Sequence, residues 1–125
     1  LKENEIKKTL ALCDKFGLKV ILCVSSISQA KKFMKLKPFA MAYEDPVLVG
    51  SGKSITNFRK KEVEKFVNIL KNSKIIPLCG AGVSNVEDVS AARKLGCKDV
   101  LISSAIANSS NPEKLLREIV SSKIM

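Results

Sequence analysis

Four short apolar runs divide this chain: KVILCVSS at residues 19–26, FAMAYE at 39–44, KIIPLCG at 74–80 and DVLISS at 99–104. KVILCVSS is nearly continuous in apolar residues, not alternating, which is how a strand buried on both faces reads, and the other three resemble it. Each opens after a basic or proline-marked turn and closes in small or polar residues. Between them stand stripes of helical period. Ile6, Leu10 and Cys13 form one that ends at Gly17, and residues 27–37 make a shorter helix. Val63, Phe66, Val67 and Leu70 form the next, and Val89, Ala92 and Leu95 another before Gly96. Leu115, Leu116, Ile119 and Val120 form the last. Ser84 with Glu87, and Ser110 with Glu113, fit the capping box, and Pro112 suits a first helical turn. Strands and helices alternating through short connections imply a parallel sheet with right-handed crossovers. Four such units make either a small doubly wound sheet or half of an eight-stranded barrel, and periodicity does not separate the two.

The 125 residues fall within the size of one domain, and 46% apolar residues suffice for a real core. No stretch approaches the roughly 18 consecutive apolar residues of a membrane span, and the opening LKENEIKK lacks a signal peptide's apolar core. A soluble cytoplasmic protein is expected. The net charge of +10 raises nucleic acid and anionic membranes as partners. The lysines are spread along the helices, however, no nucleic-acid-binding motif is present, and aromatics are too few for base stacking, so neither partner is expected. Cys13, Cys23, Cys79 and Cys97 lie far apart, and a chain with neither a Cys-x-x-Cys pair nor a histidine offers no zinc set. Reduced thiols are expected, three of them packed, with no metal and no cofactor.

In either architecture, chemistry belongs at the carboxyl ends of the strands. Those ends carry Ser25-Ser26, Glu44, Gly80-Ala81-Gly82 and Ser103-Ser104. CGAGVSNVED places flexible backbone before a capped helix, and ISSAIANSS places two serines before a short one, so free N–H groups at both would favour a dianion. A lone Gly-x-Gly loop more often marks a structural turn. Two such loops after consecutive strands are a stronger signal. Glu44 is different: a carboxylate at a strand exit, followed directly by a glycine-punctuated segment built to move.

These residues carry a family resemblance. AYEDPVLVGSGKS resembles the catalytic-glutamate and lid segment of triosephosphate isomerase, and PLCGAGVSNVEDVSAARKLGCKDVLISSA resembles the phosphate-binding end of that family's archaeal short form. The likeness covers nearly the whole chain, with three separated motifs in order. It implies an α/β fold, the (β/α)8 TIM barrel, with residues 1–125 as the C-terminal half of that single domain, strands 5 to 8. It implies that Glu44 is the base moving a proton between neighbouring carbons of dihydroxyacetone phosphate and glyceraldehyde 3-phosphate, in glycolysis and gluconeogenesis. Residues 45–52 would be the lid, with backbone at Val49 and Gly50 nearing the substrate phosphate, and Gly82, Ser103 and Ser104 would offer it N–H groups. Asp45 stands where the archaeal form commonly has proline. Such a pairing has a physical basis, since an acid-base carboxylate works best on a rigid strand end beside a loop that can exclude water.

The family also uses an electrophilic histidine after its fourth strand and a lysine after its first. This chain has no histidine and opens at Leu1, inside a helical pattern and without an initiator methionine. The expectation is therefore the C-terminal half of a barrel of roughly 200 to 250 residues, inactive as an isolated fragment and a homo-oligomer, tetramer or dimer, in its full-length form. Two alternatives stand beside it. One is another phosphate-binding barrel, similar to indole-glycerol-phosphate synthase, which shares the final loops but does not predict Tyr43-Glu44 followed by this lid. The other is a non-catalytic half-barrel that pairs with itself, or with a separately encoded half, as an assembly module.

Overall fold

The computed structural model describes residues 1–122. Four strands, β1 (Ile21–Val24), β2 (Ala40–Glu44), β3 (Ile76–Gly80) and β4 (Asp99–Leu101), are all parallel and lie side by side in chain order. A doubly wound sheet reverses its strand order at a switch point, whereas consecutive order is that of a barrel wall. The sheet therefore settles what periodicity left open. The helices are α1 (Glu3–Lys15), α2 (Ile27–Phe33) with a 3-10 turn at Met34–Leu36, α3 (Ile55–Phe58), α4 (Lys60–Leu70), α5 (Val86–Lys94), α6 (Ser104–Ala107) and α7 (Pro112–Ser121).

Side chains alternate along a strand, so Met41 and Tyr43 of β2 face one way and Ala40, Ala42 and Glu44 the other. On the first face, Met41, Tyr43, Val24 and Cys79 join Ala30 of α2, Val63, Phe66 and Leu70 of α4, Val89 and Ala92 of α5 and Ile119 of α7 in one large core. Phe66 is fully buried there, its ring 5.5 Å from that of Tyr43. The second face carries a much smaller cluster. Ala40, Ala42 and Leu78 are buried in it, with Ile76 and Leu101 partly buried against them. Glu44 thus sits at the carboxyl-terminal mouth of the thinly packed face, on the most deeply buried strand of the sheet.

Several expectations shift. The strands are shorter than the apolar runs that announced them, and the first run does not form a strand buried on both faces: only Val24 is buried in β1, while Ile21 is 46% exposed. β1 has a hydrogen-bonded neighbour on one side only, so half of its surface lacks the cover that a central strand receives. Two cysteines, Cys79 and Cys97, are buried, not three; Cys13 is half-buried and Cys23 exposed. Both capping motifs move one residue along. Asn85 caps α5 by accepting from the Asp88 amide at 2.8 Å, and Asp88 accepts in return from the Ser84 amide at 3.0 Å. Asn111, not Ser110, caps α7 by accepting from the Lys114 amide at 3.0 Å. α3 carries no apolar stripe to announce it; the Ser54 hydroxyl starts it by accepting from the Thr56 amide at 3.3 Å. No helix of the described residues is long and apolar enough to cross a membrane.

Candidate active site

The sheet register aligns three strand ends at one level, Glu44 beside Gly80 and Gly80 beside Leu101. A Cβ added to Gly80 would stand 2.8 Å from Glu44 Oε2 and 3.2 Å from both Cβ and the carbonyl oxygen of Leu101. The carboxylate lies across Gly80, and a side chain there would push it from this position. Cys23 completes its surroundings. Partial burial, then hydrogen bonding and charge from Glu44, push the Cys23 thiol up to about 11, so it faces the carboxylate as a neutral S–H at neutral pH.

The segment after Glu44 is a chain of tight turns. The Asp45 carbonyl accepts from the Leu48 amide at 3.0 Å and its Oδ1 accepts from the Val47 amide at 2.9 Å. The Leu48 carbonyl in turn accepts from the Ser51 amide at 3.1 Å and the Ser51 hydroxyl at 2.6 Å. Leu48 is buried in the large core, whereas Val47 and Val49 stand exposed on either side of it. An anchored centre with exposed flanks suits a loop that rocks about one apolar pivot. Beyond it, the Ile55 amide donates to the Ala81 carbonyl at 3.0 Å, tying the far end of this segment to the loop after β3.

That loop is conformationally demanding. Ala81 and Gly82 have φ of 86° and 69°, two successive left-handed residues, the first of them strained for a side chain. A Cβ on Gly82 would collide with the Lys53 carbonyl, so glycine here lets the loop after β3 pack directly on the backbone just beyond residues 45–52. Among the described residues, no group accepts from the amides of Gly82 and Ser103. Ser104 opens α6, where the first amides of a helix have no partner within it.

Glu44, Val49, Gly50, Gly82, Ser103 and Ser104 all line one cavity of about 300 Å³, together with Ala81, Val83, Leu101 and Ile102. Every site residue expected from the sequence is brought to it. Larger concavities exist, one of about 540 Å³ beside α1 at the opposite end of the strands and an open trough of about 840 Å³ along α7. Neither joins a strand-end carboxylate to unpartnered backbone amides, and that convergence, not volume, singles out the smaller cavity as the candidate site.

The sequence model for triosephosphate isomerase matches residues 2–122. The chain belongs to the triosephosphate isomerase family. It is 35% identical over 118 residues to the triosephosphate isomerase of Methanocaldococcus jannaschii, a match covering 93% of this chain and 54% of that protein. It is 34% identical over 125 residues to that of Saccharolobus solfataricus, covering 99% of this chain and 55% of the relative. The chain spans about half the length of the curated relatives that it matches. Among solved structures, 3-hexulose-6-phosphate synthase from Salmonella typhimurium matches with a TM-score of 0.70 at 16% identity, covering 95% of this chain and 56% of that one. A BexX/CysO complex from Amycolatopsis orientalis matches with a TM-score of 0.72 at 14% identity, covering 94% and 46%. These two show the fold alone, consecutive βα units with a parallel sheet, as in half of a TIM barrel.

Two residues around Glu44 carry no site expectation from the sequence, Cys23 and Leu101, and Gly80 is marked there only as part of a strand end. Each sits on a different strand, so only the register between strands brings it to Glu44. The one sequence signal available was period 2, which places Cys23 on a single face of β1 without saying which face meets Glu44.

Proposed function

We propose that this chain supplies the general base and the phosphate grip of a triosephosphate isomerase. The observation that carries the reading is the convergence of Glu44 with the backbone of Gly82, Ser103 and Ser104 around one cavity. Glu44 takes a proton from the carbon beside the carbonyl of dihydroxyacetone phosphate, leaving an enediolate, and returns it to the neighbouring carbon to give glyceraldehyde 3-phosphate. The phosphate is held meanwhile by N–H groups of the loops after β3 and β4 and by lid backbone at Val49 and Gly50. Neutral backbone donors grip a dianion without placing a competing cation beside the base. Residues 45–52 close over the enediolate and exclude water, a lid motion for which triosephosphate isomerase is itself the standard illustration. The reading places the protein in the cytoplasm, in glycolysis and gluconeogenesis, as part of a homo-oligomer. A phosphate-binding barrel of another activity would use the same amides but would leave Glu44 and the lid without a task.

The chain contains no histidine, so the group that polarises the substrate carbonyl does not come from these residues. The chain alone is expected to show no turnover above background. Fused behind the amino-terminal half of the Methanocaldococcus jannaschii relative, it is expected to isomerise triose phosphates. In that fusion Glu44→Gln lowers turnover by about 10² to 10⁴, with affinity for glycerol phosphate changed less than about threefold. Near-normal turnover by the Gln variant would overturn the assignment.

A further inference from the structure

The lid is closed at its base by an ion pair. Asp45, the residue directly after the base, accepts from Arg59 Nε through Oδ2 at 2.7 Å, across a sequence separation of 14 residues. Arg59 occupies the kink between α3 and α4, where its amide donates to the Ile55 carbonyl at 2.9 Å and its carbonyl accepts from the Val63 amide at 3.0 Å. Its Nη1 donates to the Phe58 carbonyl at 2.8 Å, so the guanidinium is held from two sides. The Asp45 side chain is only 16% exposed, against 38% for Arg59. Asp45 also carries the first turn of the lid on its other oxygen, through Val47. Both ends of the lid segment therefore meet at one kink. The near end reaches it through Asp45 and Arg59, and the far end through Ile55, whose amide is tied to the loop after β3. The geometry is that of an Ω-loop with its neck clasped. The same groups are felt one residue before the base: Tyr43 is buried, and its phenol is pushed up by burial first and then by the carboxylates of Glu62 and Asp45, with Arg59 opposing.

We propose that Arg59 is a positioning residue. By clasping Asp45 it fixes the neck of the lid, and so sets how firmly the tip at Val49 and Gly50 rests over the dianion pocket. The inference deepens the isomerase reading and depends on it for the identity of the pocket. A pair that is largely sheltered and chelated on both sides has little entropy left to lose, and a neck contact acts on every position of the loop that it closes.

The test uses the 125-residue chain with inorganic phosphate as ligand. Amide hydrogen exchange at Leu48 and Ser51 in the free chain reads the neck alone. Asp45→Asn keeps the turn to Val47 and removes the charge, and Arg59→Met removes the partner. Each is expected to raise exchange at both amides, and to weaken phosphate binding, by about threefold to fivefold, with the double variant no worse than either single one. Arg59→Lys restores the charge and should recover most of both effects, which a variant damaged only in folding would not show. Additive effects, or exchange at wild-type rates in Asp45→Asn and Arg59→Met, would overturn the neck. Faster exchange with unchanged phosphate affinity would make the pair a structural clasp and overturn its role at the site. A wild-type chain that leaves phosphate unbound at millimolar concentration would sink the isomerase reading itself, whatever the exchange rates show.

Discussion

One sheet presents two unlike faces. Against the helices, Met41, Tyr43, Val24 and Cys79 pack into a core reaching α2, α4, α5 and α7, with Met41, Phe66 and Val63 wholly removed from solvent. On the other face two alanines and Leu78 make the buried set, Ile21 is 46% exposed and Cys23 is exposed as well. The apolar sequence of each strand serves both faces alike. The helix face receives its cover from elements adjacent in sequence, whereas the inner face of a barrel wall is filled by side chains arriving from strands farther round. Stability therefore concentrates on the helix face. The thinly covered face is free to hold a charged group at its mouth, and that is where Glu44 lies.

The contrast breaks most visibly if truncations on the two faces have similar consequences. Phe66→Ala removes a fully buried ring from the helix face and is expected to destabilise the chain by about 3–5 kcal/mol, while Ile21→Ala on the exposed face should lose less than about 1 kcal/mol. Urea unfolding midpoints of the two variants compare them directly, and equal losses would mean that the inner face is packed in solution by something that covers Ile21.

The rim between the faces gives a smaller effect on stability and a sharper one on binding. Gly82→Val forces a β-branched residue into φ of 69° and pushes its Cβ into the Lys53 carbonyl. A loss of about 1–3 kcal/mol is expected, with phosphate affinity falling more than about tenfold. A titration monitored by the amides of Ser103 and Ser104 would check it. Wild-type affinity would show that the loop after β3 adapts and that glycine is not required there.

The smallest effect concerns the inner face itself. The Cys23 thiol is raised from an unfolded value of 9.0 to about 11, so the folded chain favours its neutral form. That contribution is complete below pH 9 and is lost as pH rises towards 11, because the unfolded chain ionises first. Melting temperature should therefore fall more steeply across this window in the wild type than in Cys23→Ala. Parallel curves for the two proteins would show that neither burial nor Glu44 raises the Cys23 thiol in the folded chain.

Much of this is legible in the sequence. Four apolar runs separated by helical stripes specify a parallel α/β chain, and Glu44, Gly82, Ser103 and Ser104 lie where strands must end, because loops and strand exits are set by local sequence. The caps were misplaced by one residue because serine and asparagine are both good caps, and the choice between Ser84 and Asn85 rests on which carboxylate can reach back. α3 was invisible because four residues cannot show a helical period.

What the sequence determined by itself, then, is the order of elements and the chemical type of each strand exit, since both follow from periodicity and turn chemistry over a few neighbouring residues. Tertiary structure alone decided the rest. It set strand order, which separates a barrel wall from a doubly wound sheet. It set Gly80 between Glu44 and Leu101 through the register, brought the Cys23 thiol to Glu44, and joined Asp45 to Arg59. These depend on contacts between residues distant in the chain, and a local pattern carries no information about which distant surface a side chain will meet.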